Sequence, residues 1–229
     1  MNALRATFAI ARREMRPYWL YSVGARILLG AALGTLDTFR FGQGLIVMMI
    51  LAVPLGVVAG LEPRIRDLTY FIAPLYGRQL ARAYAVTAAT AAFALPCAFL
   101  VANILSVRVL ADSAIYHDIG FSWTSIDQSR GAPLQVPTEW LVAGVALAMT
   151  VASVIASLVG LSATLRRGLA RTAYVALACL SGYFSFLIIA ATAFDVPFLL
   201  GAFAAALLLG FLALRAFGET LARYDPVPY

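Results

Sequence analysis

Six stretches of this chain are apolar for long enough to cross a lipid bilayer, and that excludes most of the folds open to a protein of 229 residues. A hydrocarbon core about 30 Å thick takes about 20 apolar residues in a helix, and a helix pairs its own backbone donors and acceptors where no water can. The stretches are Tyr18 to Leu36, Leu45 to Leu61, Ala83 to Val107, Trp140 to Leu165, Thr172 to Phe194 and Val196 to Leu214. Apolar residues make up 62% of the chain and charged ones 12%. That is about half the charged fraction of a soluble domain, too little to keep such a surface in water. The expected fold is all-α: one polytopic transmembrane domain over residues 1–229, with no repeat of fixed period.

The basic residues set the expected orientation. All 17 are arginine, against 11 acidic residues, for a net charge of +6. With the N-terminus inside, Arg5, Arg12, Arg13, Arg16, Arg64, Arg66, Arg78, Arg82, Arg166, Arg167, Arg171, Arg215 and Arg223 fall on the cytoplasmic side. Arg40, Arg108 and Arg130 fall outside. Positive residues in short connections are retained in the cytoplasm, so both termini are expected there. Nucleic acid is a poor partner for charges separated by apolar runs, and lipid headgroups are the expected anionic neighbour. Residues 2–16 read as an interfacial helix, with Leu4, Phe8, Ala11 and Met15 near one face and arginines around the other, turning upward at Pro17. Arg5 to Arg16 precede an apolar run without a small-residue cleavage pattern, so no cleavable signal is expected. Residues 108–139 form the long external connection and contain His117.

Several chemistries lack their residues. There is no G-x-x-x-x-G-K-[ST] phosphate loop, no H-E-x-x-H, and no Cys/His spacing for a metal; Cys97 and Cys179 lie inside apolar segments as expected buried thiols. An enzyme is not the expected class. Inside the spans, Arg26 lies about 12 Å beyond Tyr18 at 1.5 Å per residue, where a guanidinium costs about 3 kcal/mol. It snorkels or pairs with a helix, lines a cavity, or marks a misplaced span boundary. Asn103 is expected to turn inward. Gly30 and Gly34, and Gly56 and Gly60, offer two small-residue faces for close helix packing, within the chain or across a dimer.

Glu62 to Arg82 is longer than a return connection between neighbouring helices requires. It supplies Glu62, Arg64, Arg66, Thr69, Pro74, Arg78 and Leu80 in order, closed by Arg82. In this the chain resembles the membrane subunits of ABC-2 type ABC transporters, with an acidic residue ending span two, a basic run and a Pro-x-x-x-Arg helix entering span three. The resemblance implies that residues 62–82 form a cytoplasmic coupling loop whose helix docks on a separate ATPase. It assigns coupling to Arg66, Asp67, Tyr70, Pro74, Tyr76, Arg78 and Arg82. Arg166, Arg167 and Arg171, in "LRRGLAR", form a second basic turn. It further implies a permease in a prokaryotic cytoplasmic membrane, exporting a lipophilic or amphipathic compound, paired with a second copy or a homologous permease. ATP and Mg would belong to the partner, with no cofactor in this chain. The relatives' re-entrant element between spans five and six is replaced here by a short turn at Asp195 and Pro197. The competing expectation is a non-transporting membrane subunit that anchors a larger complex.

The orientation is testable by reporter fusion. Alkaline phosphatase, active only outside the cytoplasm, should be active when fused after Ser129 and inactive when fused after Arg223; the reverse pattern would invert the topology.

Overall fold

The computed structural model describes residues 3–39, 43–62, 67–110, 124–126, 133–135, 138–192 and 196–223. Among the described residues there are six helices: α1 (Ala3–Phe39), α2 (Gln43–Leu61), α3 (Asp67–Leu110), α4 (Thr138–Thr164), α5 (Gly168–Thr192) and α6 (Val196–Ala222). Each contains a window long and apolar enough to cross a membrane: Trp19–Thr38, Gln43–Leu61, Gly77–Val107, Val142–Thr164, Gly168–Ile189 and Leu200–Ala222. The chain is an integral membrane protein. Two three-residue strands, β1 (Thr124–Ile126) and β2 (Pro133–Gln135), pair antiparallel between α3 and α4, with Ser125 opposite Leu134. This ribbon is the one departure from an all-α chain among the described residues.

One expected boundary is absent. Pro17 does not end a helix, because α1 runs through it for 37 residues, so residues 3–16 are continuous with the first span. In the connection at 62–82, the expected helix entering the third span begins at Asp67 and is continuous with that span as α3, a 44-residue helix. Such a rod is about 66 Å long at 1.5 Å per residue, twice the hydrocarbon thickness. Gly77, a residue that weakens an exposed helix, sits here against Ala222 of α6, where an added Cβ would come within 3.0 Å of the alanine methyl. Packing therefore replaces the propensity that glycine lacks.

α3 and α4 form the centre. α3 touches α1, α2, α4 and α6, and α4 touches α2, α3, α5 and α6. Their inward faces are small: Ala88, Ala91 and Ala92 on α3 and Ala152 and Ala156 on α4 are buried. Met48, Val53, Phe99, Met149 and Ile155 fill the main core around them. A second cluster of Leu80, Tyr84, Leu161, Leu165, Phe217 and Leu221 joins the start of α3 to the ends of α4 and α6. The glycine pairs pack within the chain. A Cβ on Gly30 or Gly34 would run into the Leu95 or Phe99 carbonyl of α3, and one on Gly56 or Gly60 into the Ser153 or Ser157 carbonyl of α4. Without a hydrophobic driving force between helices in lipid, such close backbone approach is what holds them.

Two prolines inside spans would each leave a carbonyl one turn back without its helical N–H. Pro54 leaves Ile50, and the Tyr183 hydroxyl of α5 donates to that oxygen at 2.9 Å. Pro96 leaves Ala92, and the buried Ser153 hydroxyl of α4 donates to it at 3.1 Å, also lying 2.9 Å from the Ala52 carbonyl. Each proline on one helix is thus matched by a hydroxyl on another.

A double-mutant cycle tests this match. Ser153→Ala should cost about 1 kcal/mol in the native chain and markedly less when Pro96→Ala restores the helical donor, as read by reversible unfolding in mixed micelles.

Candidate functional site

One end of the bundle gathers the basic residues that the helices bring together. The contact of Gly77 with Ala222 sets the start of α3 beside the end of α6, and Leu165 in the shared cluster adds the end of α4. Arg78, Arg82, Arg166, Arg167, Arg171, Arg215 and Arg223 therefore share this end. Trp19 of α1 anchors here as well, its indole N–H donating to the Thr87 carbonyl at 3.1 Å.

Arg26 and Glu62 make the central contact. The Arg26 side chain is 5% exposed and that of Glu62 15%, and Nη2 lies 2.7 Å from Oε1. The same Nη2 donates to the Leu55 carbonyl at 3.1 Å. Nη1 donates to Ser22, one turn back on α1, and the Ser22 hydroxyl donates in turn to Glu62 Oε1. Arg26 enters the membrane on α1 and reaches back to the carboxylate where α2 ends. Snorkelling and helix pairing are here the same contact, and they satisfy a charge that lipid would not tolerate alone. The first residue of the basic segment is thereby clamped to the first span.

Arg78 and Arg82, one turn apart on α3, face Arg215 and Glu219 on α6 across an open groove of about 300 Å³. Arg215 Nε lies 2.9 Å from Glu219 Oε1 on the same helix. This pair is exposed and contributes little to stability. Arg166 leaves the end of α4 and stacks over Tyr174, 4.3 Å from the ring centre. Arg167 and Arg171 are exposed beside it. Gly168, at φ +57°, makes the turn from α4 into α5 in a conformation that side chains other than glycine rarely adopt. Arg66 lies outside the described residues. Asp67, Tyr70, Pro74 and Tyr76 fall in the first turns of α3, their side chains outside the described set. His117 lies outside it too.

Asn103 occupies the opposite end and is buried. Its amide donates to Asp37 Oδ2 at 3.3 Å and to the Gly34 carbonyl at 3.4 Å. Asp37, 1% exposed, accepts from the backbone N–H of Leu45 at 2.9 Å. A carboxylate of α1 thus serves a donor in the first turn of α2, where helix N–H groups lack intrahelical partners and favour negative charge. Asn103 is a strut between α1 and α3.

Sequence reasoning named Arg26 without its partner. The signal was present: Glu62 ends the span next in sequence, and antiparallel neighbours bring the start of one span level with the end of the next. Asp37 and Ser153 were missed because each works through a backbone atom of another helix, which leaves no pattern in the chain. Cys97 and Cys179 are free, part-buried thiols. Among the described residues no group of three His, Cys, Asp or Glu is placed to hold a metal. No family model, curated protein or solved structure matches this chain.

Removing either member of the buried pair leaves the other uncompensated, at a cost of about 3 kcal/mol. Arg26→Ala and Glu62→Ala should each lower stability by about that amount, while the double variant loses much less than the sum, as measured by unfolding in micelles or by steric trapping.

Proposed function

We propose that this chain is the membrane-spanning permease subunit of an ATP-driven transporter of the ABC class, powered by a separate cytoplasmic ATPase that carries ATP and Mg. One observation carries the reading: from Asp67 onward the basic segment and the third span are a single helix. Asp67, Tyr70, Pro74 and Tyr76 lie on the part of α3 before the membrane window begins at Gly77. A force applied there travels along a continuous hydrogen-bonded rod into contacts with α1, α2, α4 and α6. The Arg26–Glu62 clamp supports the same role from the other side, since it ties the start of the basic segment to α1.

In this reading the arginine-rich end faces the cytoplasm of a prokaryotic cell, and two permeases, identical or homologous, enclose the path for a lipophilic or amphipathic compound. ATPase closure moves the start of α3, and the spans rock between inward and outward arrangements. The turn at Arg166, Arg167 and Arg171 gives the ATPase a second contact. A movement transmitted this way needs stiffness at the junction and a docked nucleotide-hydrolysing partner.

A photo-crosslinking residue at Tyr76 tests docking: it should capture a phosphate-loop ATPase, with a yield that changes on vanadate trapping. Two glycines inserted after Gly77 should leave association intact and lower transport-linked ATP hydrolysis at least tenfold. Capture of a protein without ATPase activity, or hydrolysis indifferent to the insertion, would favour the anchoring role.

A further inference from the structure

The groove between α3 and α6 has the chemistry of a lipid site, and we propose that it binds the headgroup of an anionic phospholipid, with an acyl chain running along α6. The inference needs only the placement in a membrane, and stands or falls apart from the transporter reading. Three guanidiniums, from Arg78, Arg82 and Arg215, line the groove against the single carboxylate of Glu219. Arg223 adds a fourth positive charge to the field at that carboxylate. The excess is cationic, and arginine presents planar donor pairs that match phosphate oxygens.

Both walls change character at one depth. On α3 the stripe at four-residue spacing reads Arg78, Arg82, then Val86, which is 51% exposed; on α6, antiparallel to it, it reads Arg215, Phe211, then Leu207, the last two 61% and 73% exposed. Gly218 and Ala81 keep the helices close at the charged end, where a Cβ on the glycine would lie 3.4 Å from the alanine methyl. A free phosphate or an acidic peptide uses only the charged half. A phospholipid uses both halves, since its phosphate sits where the guanidiniums are and its chains where Phe211 and Leu207 face the hydrocarbon. The arginines lie within the first turns of the α3 span and the last turns of the α6 span, at the headgroup boundary where basic pockets between helices take such lipids.

Native mass spectrometry of the full-length chain in neutral detergent, titrated with dioleoyl phosphatidylglycerol or dioleoyl phosphatidylcholine, tests this. The anionic lipid should be retained in clear preference. Arg78→Gln and Arg82→Gln should each cut that preference about fivefold. Phe211→Gln should weaken retention of the anionic lipid, and Arg171→Gln, away from the groove, should leave it unchanged. Equal retention of the two lipids by the native chain overturns the proposal without recourse to any variant. Competition by free glycerol phosphate as effective as that by the intact anionic lipid overturns it too, as a soluble-anion site. Loss of preference in Arg171→Gln equal to that in Arg82→Gln would reduce the effect to overall charge and reject the groove.

Discussion

A peptide group in hydrocarbon has no water to turn to, and most of what distinguishes this bundle answers that constraint. Helices satisfy it along their length, and the exceptions at Pro54 and Pro96 are repaired from outside by Tyr183 and Ser153. The serine has one proton for two nearby carbonyls. Ala52 retains its own helical donor, so the proton is most useful at Ala92, which Pro96 deprives. Gly56 is part of the same arrangement, because any side chain there would strike Ser153 and push α4 away. Proline, glycine and serine on three different helices thus form one unit.

Charge obeys the same rule at both ends of the bundle. Arg26 is tolerable because Glu62, Ser22 and the Leu55 carbonyl accept from its two terminal nitrogens, leaving only Nε without a partner; Asp37 is tolerable because Leu45 and Asn103 supply donors to it. Each cluster ties α1 to α2, one at each end of the pair, and the Asp37 cluster reaches α3 as well. A buried ion pair adds little net stability over a well-packed apolar one, but it penalises any register that separates its members. The α1–α2 hairpin is therefore fixed in sliding position by polar contacts, while Gly44 lets the two helices close up where a Cβ would strike the Leu33 carbonyl.

The spans were legible in the sequence because their signal is composition over about 20 residues, which no tertiary contact has to complete. Their continuations were not. Pro17 read as a turn yet lies inside a helix, and Gly77, a residue that would weaken an exposed helix, is held by Ala222, 145 positions further along. The ribbon at Thr124–Ile126 and Pro133–Gln135 carries too few apolar residues for alternation to announce it. At the candidate site, the arginines could be read off as a set, but the division into a clamp at Arg26, a groove at Arg78 and Arg82, and a stacked turn at Arg166 depends on which helices adjoin. That information is distributed over small residues whose only message is proximity.

The length of α3 has a mechanical consequence. From Gly77 to Asn103 the helix is packed among four neighbours, so it cannot bend there without shifting all of them at once. A beam held in that way answers a load as a rigid body instead of by local flexing.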